Sequence, residues 1–144
     1  MSIEQNKALA RKLVEEVINQ GNISMIDELA IPDFVEHEEL PPGIPPGREA
    51  PKALFSMLLN AFPDFYATIE HLIAEGDQVV LHMTWTGTQE GEFMGIPPTG
   101  KRISINVIDI LGLAEGKFVE HWGVMDSMAM MQQLGVVPAP GQAG

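Results

Sequence analysis

The sequence predicts an α+β fold, with helices first and an antiparallel sheet after them. Three observations carry this. Up to Pro63 the apolar residues recur at helical spacing. Beyond Pro63 they alternate, the period of a strand with one buried face. The alternating runs meet at short turns, Gly76-Asp77 and Glu115-Gly116, which join antiparallel strands. Helices followed by such strands make an α+β domain.

Ser2 and Gln5 have the spacing of a capping box, and Ala10, Leu13, Val14, Val17 and Ile18 then mark one helical face. Gly21 stops this helix. Ser24 is expected to cap a short second helix carrying Ile26 and Leu29, ended by Pro32. "DFVEHEE" is a short strand candidate, and "LPPGIPPG" is a stiff loop with too much proline for regular structure. A third helix follows, with Pro51 in its first turn, Leu54, Leu58 and Ala61 on its buried side and Pro63 at its end. Two strands lie in "FYATIEHLIAEGDQVVLHMTWTGT" and two more in "KRISINVIDILGLAEGKFVEHWGVM", with the loop "QEGEFMGIPPTG" between them. A last helix runs from about Asp126 to Leu134, with Gly135 as its stop. One domain is expected over residues 1–136, with a C-terminal tail over 137–144.

Composition narrows the function. The 144 residues include 20 acidic and 8 basic side chains, a net charge of −12, which opposes binding to nucleic acid or an anionic membrane. No apolar run approaches the roughly 20 residues of a membrane span, and the polar N-terminus does not read as a signal peptide. The absence of cysteine excludes disulfides, zinc-thiolate sites and thiol nucleophiles and fits a cytoplasmic protein.

Hairpin arithmetic places the candidate site. A symmetric turn between Gly76 and Asp77 opposes His71 to His82, Ile73 to Val80 and Thr68 to Trp85. The same turn between Glu115 and Gly116 opposes Leu111 to Glu120, Asp109 to Trp122 and Val107 to Val124. Asp109, Glu120 and Trp122 then share a face, which Asp126 continues. Val107, Leu111, Phe118 and Val124 share it too, so the face suits an apolar pocket with a few polar groups, a water-facing side being the alternative.

"WTGTQEGEFMGIPPTGKRI" followed by "GKFVEHWGVMDSMAMMQQLG" resembles the SnoaL-like polyketide cyclase family. The helical N-terminal third and "GDQVVLHMTW" fit the same layout, so the resemblance covers nearly the whole chain. It implies a cystatin-like α+β cone. There a curved antiparallel sheet of four or more strands, N-terminal helices and a short C-terminal helix enclose a deep apolar pocket. It also implies catalysis without metal or organic cofactor, by intramolecular aldol closure of a ring in a polyketide ester, and a homodimer paired through sheet faces. Asp126 matches the family's acid/base aspartate by its place after "EHW", and His37 is the preferred match for a pocket histidine. Trp122, Asp109, Glu120 and Trp85 are the expected substrate-binding residues, for a small hydrophobic or aromatic carbonyl compound. Two positions depart from the pattern: many relatives have histidine at Gln89 and a polar acid at Gly123.

A carboxylate of ordinary pKa near ~3.9 is a weak base, and burial among apolar groups would make Asp126 a better proton shuttle. The same residue is equally suited to cap the last helix. His37, among Glu36, Glu38 and Glu39, is a pocket histidine, a metal ligand or a solvated strand end. His71 and His82, as cross-strand neighbours, are a surface or dimer-face pair, or two zinc-type ligands without a third. Met125, Met128, Met130 and Met131 suit ligand binding or packing. "GEFMGIPPTG" lacks the Lys/Ser pair of a phosphate loop, and there is no Gly-x-Ser-x-Gly elbow. The same pocket could serve isomerisation, dehydration or epoxide hydrolysis, or a non-catalytic binder of a hydrophobic ligand or partner chain.

Overall fold

The computed structural model describes residues 2–138. Helix α1 (Ile3–Lys12) opens on the capping box expected of Ser2 and Gln5 and runs on as a π-helical segment, Leu13–Ile18. Gly21, at φ 73°, ends it. Ser24 caps nothing: it lies inside a 3-10 turn, Ile23–Met25, and its hydroxyl donates to Asn22 Oδ1. Helix α2 (Ile26–Leu29) is a single turn, and strand β1 (Ala30–Glu36) follows at once, earlier than the sequence suggests. Pro32 therefore sits within β1, which is tolerated because β1 is an edge strand whose pairing is interrupted between Ala30 and Val35. Helix α3 (Glu49–Ala61) buries Leu58 and Ala61 and keeps Leu54 half-buried.

Four long strands follow, β2 (Tyr66–Glu75), β3 (Gln78–Thr88), β4 (Arg102–Ala114) and β5 (Lys117–Met125), then helix α4 (Ser127–Gln133). The sheet order is β1-β5-β4-β3-β2. The four long strands pair antiparallel, while β1 joins β5 in parallel, so the sheet is mixed rather than purely antiparallel. Its inner face packs on the helices in one core, with Val14, Val17, Leu58, Val79, Leu81, Met83, Ile103 and Ile105 essentially inaccessible. Asn19 ties the π segment to the sheet, accepting from the Ala67 N–H at 2.8 Å and donating to the Ala67 carbonyl at 2.9 Å. Of the expected tail, residues 139–144 lie outside the described residues.

Two bulges correct the expected registers. In the first hairpin His71 faces His82 and Ile73 faces Val80 as expected, but Glu70 is an extra residue, so Trp85 faces Ala67 and Thr68 faces Thr84. In the second hairpin Ala114 pairs with Lys117 and Leu113 with Phe118, as a symmetric turn requires. Val119 is then bulged out, and Gly112 pairs with Glu120, Leu111 with His121, Asp109 with Gly123 and Val107 with Met125. A one-residue slip exchanges the two faces of a strand. Glu120 and Trp122 therefore face outward, and His121, Gly123 and Met125 face the core side with Asp109.

Candidate active site

A cavity of about 530 Å³ lies between the inner sheet face and the helices. Leu13, Val14 and Ile18 of the π segment and Leu54, Phe55 and Leu58 of α3 wall one side. Leu81, Met83 and Trp85 of β3 and Val107 and Leu111 of β4 wall the other. Among the described residues its charged lining consists of Glu36, Glu38, Glu39, Asp109 and His121, with no lysine or arginine. An apolar chamber with a few converging polar groups is the usual form of a small-molecule site.

Strand alternation places the acids. Glu36 at the end of β1 and Glu38 just beyond it point into the cavity, while Val35 and His37 between and beside them are exposed. His121 reaches the cavity from β5 because of the Val119 bulge. Its Nδ1 donates to Glu36 Oε1 at 2.5 Å and its Nε2 donates to Asp109 Oδ1 at 2.7 Å. With both ring nitrogens donating to carboxylates, the ring is an imidazolium. Burial works against that charge, but the bonds to Asp109 and Glu36 outweigh it and hold the pKa up to about 10.

Gly123 makes this contact sterically feasible. A Cβ there would stand 2.6 Å from Asp109 Oδ1 and 2.8 Å from His121 Nε2. Any side chain at this point would wedge the pair apart.

Glu38 stands beside this group. Its backbone N–H donates to Glu36 Oε1 at 3.1 Å. Burial, and the charges of Asp109 and Glu36, push its carboxyl up against the pull of the His121 cation, to about 7. It therefore exchanges a proton at neutral pH, as a general acid/base requires. One ligand atom each from Glu36, Glu38 and His121 lies within 4.8 Å of the others, a grouping that could hold a cation only once the His121 ring gives up a proton.

Several expected site residues stand elsewhere. Asp126 is exposed and does not line the cavity; its Oδ1 accepts the Ala129 N–H at 3.1 Å, so it caps α4. The expectation of a water-shielded carboxylate at this position is thereby corrected. His37 lies outside too, its ring stacked on Trp122 with centroids 4.4 Å apart and its Nε2 3.1 Å from Glu120 Oε1. The slipped register thus moves Glu120 and Trp122 to the outer face with His37, out of the cavity. Asp109 and Trp85 do line the cavity.

Gln89 is wholly buried and spent on its own loop. Its Nε2 donates to the carbonyls of Gly91 and Ile96, and its Oε1 accepts from the N–H and hydroxyl of Thr99. Glu36, Glu38 and His121 were not singled out for the cavity in the sequence. The alternation of "FVEHEE" puts Glu36 and Glu38 opposite His37, and Gly112 and Gly123 inside paired strands signal a bulge and a close approach.

A family model described as SnoaL-like polyketide cyclase matches residues 8–134. The nogalonic acid methyl ester cyclase of Streptomyces nogalater is 28% identical over 118 residues, 81% of this chain and 88% of that protein. The aklanonic acid methyl ester cyclase DauD of Streptomyces sp. (strain C5) is 30% identical over 131 residues, 85% and 80% of the two chains. Among solved structures, TsrD from Streptomyces laurentii superposes with a TM-score of 0.86 at 28% identity, covering 95% of this chain and 99% of that one. AclR, a candidate hydroxylase from Streptomyces galilaeus, gives a TM-score of 0.84 at 33% identity, covering 98% and 87%.

Proposed function

The chain belongs to the SnoaL-like polyketide cyclase family, and from that premise we propose that it closes a ring in a polyketide ester by intramolecular aldol condensation, with Glu38 as the acid/base. In this reaction the Glu38 carboxylate takes a proton from carbon beside a carbonyl. The enolate carbon attacks a second carbonyl of the same molecule, a carbon–carbon bond forms, and the new alkoxide takes the proton back from Glu38. Nothing is added or lost, so the product is an isomer of the substrate. The reading involves no metal or organic cofactor.

The observation that carries this reading is the place of Glu38: a half-buried carboxyl on the wall of an apolar cavity, beside the Glu36–His121–Asp109 chain. The imidazolium offsets the charge of its two carboxylates, so that Glu38 can still ionise, and its positive charge favours an enolate or alkoxide formed nearby. Both of its N–H groups are taken, so it acts through its field rather than by giving up a proton. Trp85 and Phe55, in edge contact at 6.4 Å, offer flat apolar walls that fold the substrate for closure. A homodimer through the outer sheet face belongs to the same reading. It is supported by Val35 (48% exposed), Ile108 (44%) and Val124 (69%) over strands β1, β4 and β5. A cytoplasmic location fits the cysteine-free sequence, and among the described residues no helix is long and apolar enough to cross a membrane.

The test is incubation of the purified protein with aklanonic acid methyl ester and, separately, nogalonic acid methyl ester. The expected result is a chromatographically new product of unchanged mass, formed faster than in buffer. Recovery of both esters at the buffer rate would contradict the proposal.

A further inference from the structure

Outside the cavity, the outer face of the sheet carries a pair of facing imidazole nitrogens. His71 and His82 are cross-strand partners on β2 and β3, and the Glu70 bulge turns both Glu70 and His71 outward. His71 Nδ1 and His82 Nδ1 are 2.8 Å apart, with the two rings within 13° of parallel. Two nitrogens at that separation share one proton. Asn106 on β4 decides which holds it: its Oδ1 accepts from His82 Nε2 at 2.9 Å. The His82 proton is therefore on Nε2, its Nδ1 is a lone pair, and His71 Nδ1 is the donor.

From this arrangement we propose that His71 and His82 form a binding site for a borderline divalent transition-metal ion such as Zn²⁺, held through the two Nδ1 atoms with water completing the shell. Imidazole nitrogen suits such ions. The ion takes the place of the shared proton, and His71 moves its own proton to Nε2, so binding releases no net proton. Zinc–nitrogen bonds of about 2.0–2.1 Å in a tetrahedral shell set the nitrogens about 3.3 Å apart with each lone pair roughly 35° off the line between them, so the exposed His71 ring has to swing back by about half an ångström and both rings have to turn toward the ion. Asn106 is a positioning residue. By accepting from Nε2 it keeps the His82 lone pair aimed at the ion, as outer partners of ligating histidines commonly do. The Glu70 carboxylate on the same face, now bound by the Thr84 hydroxyl at 2.9 Å, adds favourable charge. The site is separate from the acidic end of the cavity and independent of the acid/base assignment, and it borders the face proposed to dimerise, since His82 pairs with Ile108.

The experiment is a Zn²⁺ titration of the intact protein by calorimetry, alongside the histidine Cε1–H resonances in NMR. The wild type is expected to bind one ion per chain, with the His71 and His82 resonances shifting together. His71→Ala and His82→Ala are each expected to weaken binding at least about tenfold, and Asn106→Ala to weaken it about 10- to 100-fold. Glu38→Gln is expected to leave it unchanged. Each variant is checked for a native circular dichroism spectrum, and the NMR shifts of the wild type stand even where a variant fails to fold. The proposal is overturned if no saturable binding occurs. It is equally overturned if binding survives both histidine variants, or if only His121 responds and Glu38→Gln abolishes it.

Discussion

His121 Nε2 stands 2.7 Å from Asp109 Oδ1, and the strand pair can close to that distance because the residue opposite Asp109 is Gly123. The steric test is direct. Gly123→Ala places a methyl group 2.6 Å from the Asp109 oxygen. It is expected to cost about 1–3 kcal/mol, as overpacking usually does, and to bring the His121 pKa down from about 10. An NMR titration of the His121 ring reads this. An unchanged titration in the variant would show that the pair does not depend on the glycine.

Stability should fall as pH rises. The His121 pKa is raised from 6.5 to about 10. Its contribution is therefore fully present below 6.5 and is lost as pH climbs to about 10. Glu38, raised from 4.5 to about 7, acts in the same direction over its own range: the folded protein holds that proton more tightly, so ionising it costs stability between those values. The urea midpoint is expected to drop steadily between about pH 7 and about pH 10. A midpoint that stays level across this interval would remove the buried imidazolium.

Asp126 separates capping from catalysis. Asp126→Ala removes the oxygen that accepts the Ala129 N–H. It is expected to cost about 0.5–2 kcal/mol in thermal unfolding, with turnover unchanged. A large loss of turnover in a folded variant would return the aspartate to the site.

Gln89 tests the loop. Gln89→Ala leaves the Thr99 N–H without its side-chain acceptor and the Gly91 and Ile96 carbonyls without their donor, all within the loop. A destabilisation of about 1–3 kcal/mol is expected from stranding such groups. A denaturation midpoint equal to wild type would show that the loop does not rely on these bonds.

The fold was legible because period and punctuation are local. Pro63 divides the first three helices from the four long strands, the two turns are correctly centred, and Ser2 with Gln5 caps as its spacing suggests. The parallel entry of β1 beside β5 was not, since a strand's neighbour is set by long-range packing that its own residues do not encode. The lining of the cavity was only half legible. Asp109 and Trp85, to which the sequence points, do border it. His121 was missed for one physical reason: the single extra residue Val119 exchanges the faces of β5 beyond it. That slip sends Trp122 and Glu120 outward and brings in a histidine that symmetric pairing puts on the other side. His37 answers to the family's pocket histidine by residue type alone, whereas alternation along β1 turns Glu36 and Glu38 to the cavity.

One carboxyl group carries the proposed chemistry, and the kinetics of Glu38→Gln on a methyl ester substrate test it most directly. The amide keeps the shape of the side chain but cannot carry the proton. Turnover is expected to fall by about 10²–10⁴ with the fold intact, and the wild-type pH dependence near 7 should vanish from whatever activity remains. A variant that cyclises the ester at the wild-type rate, with the same pH profile, would contradict the assignment.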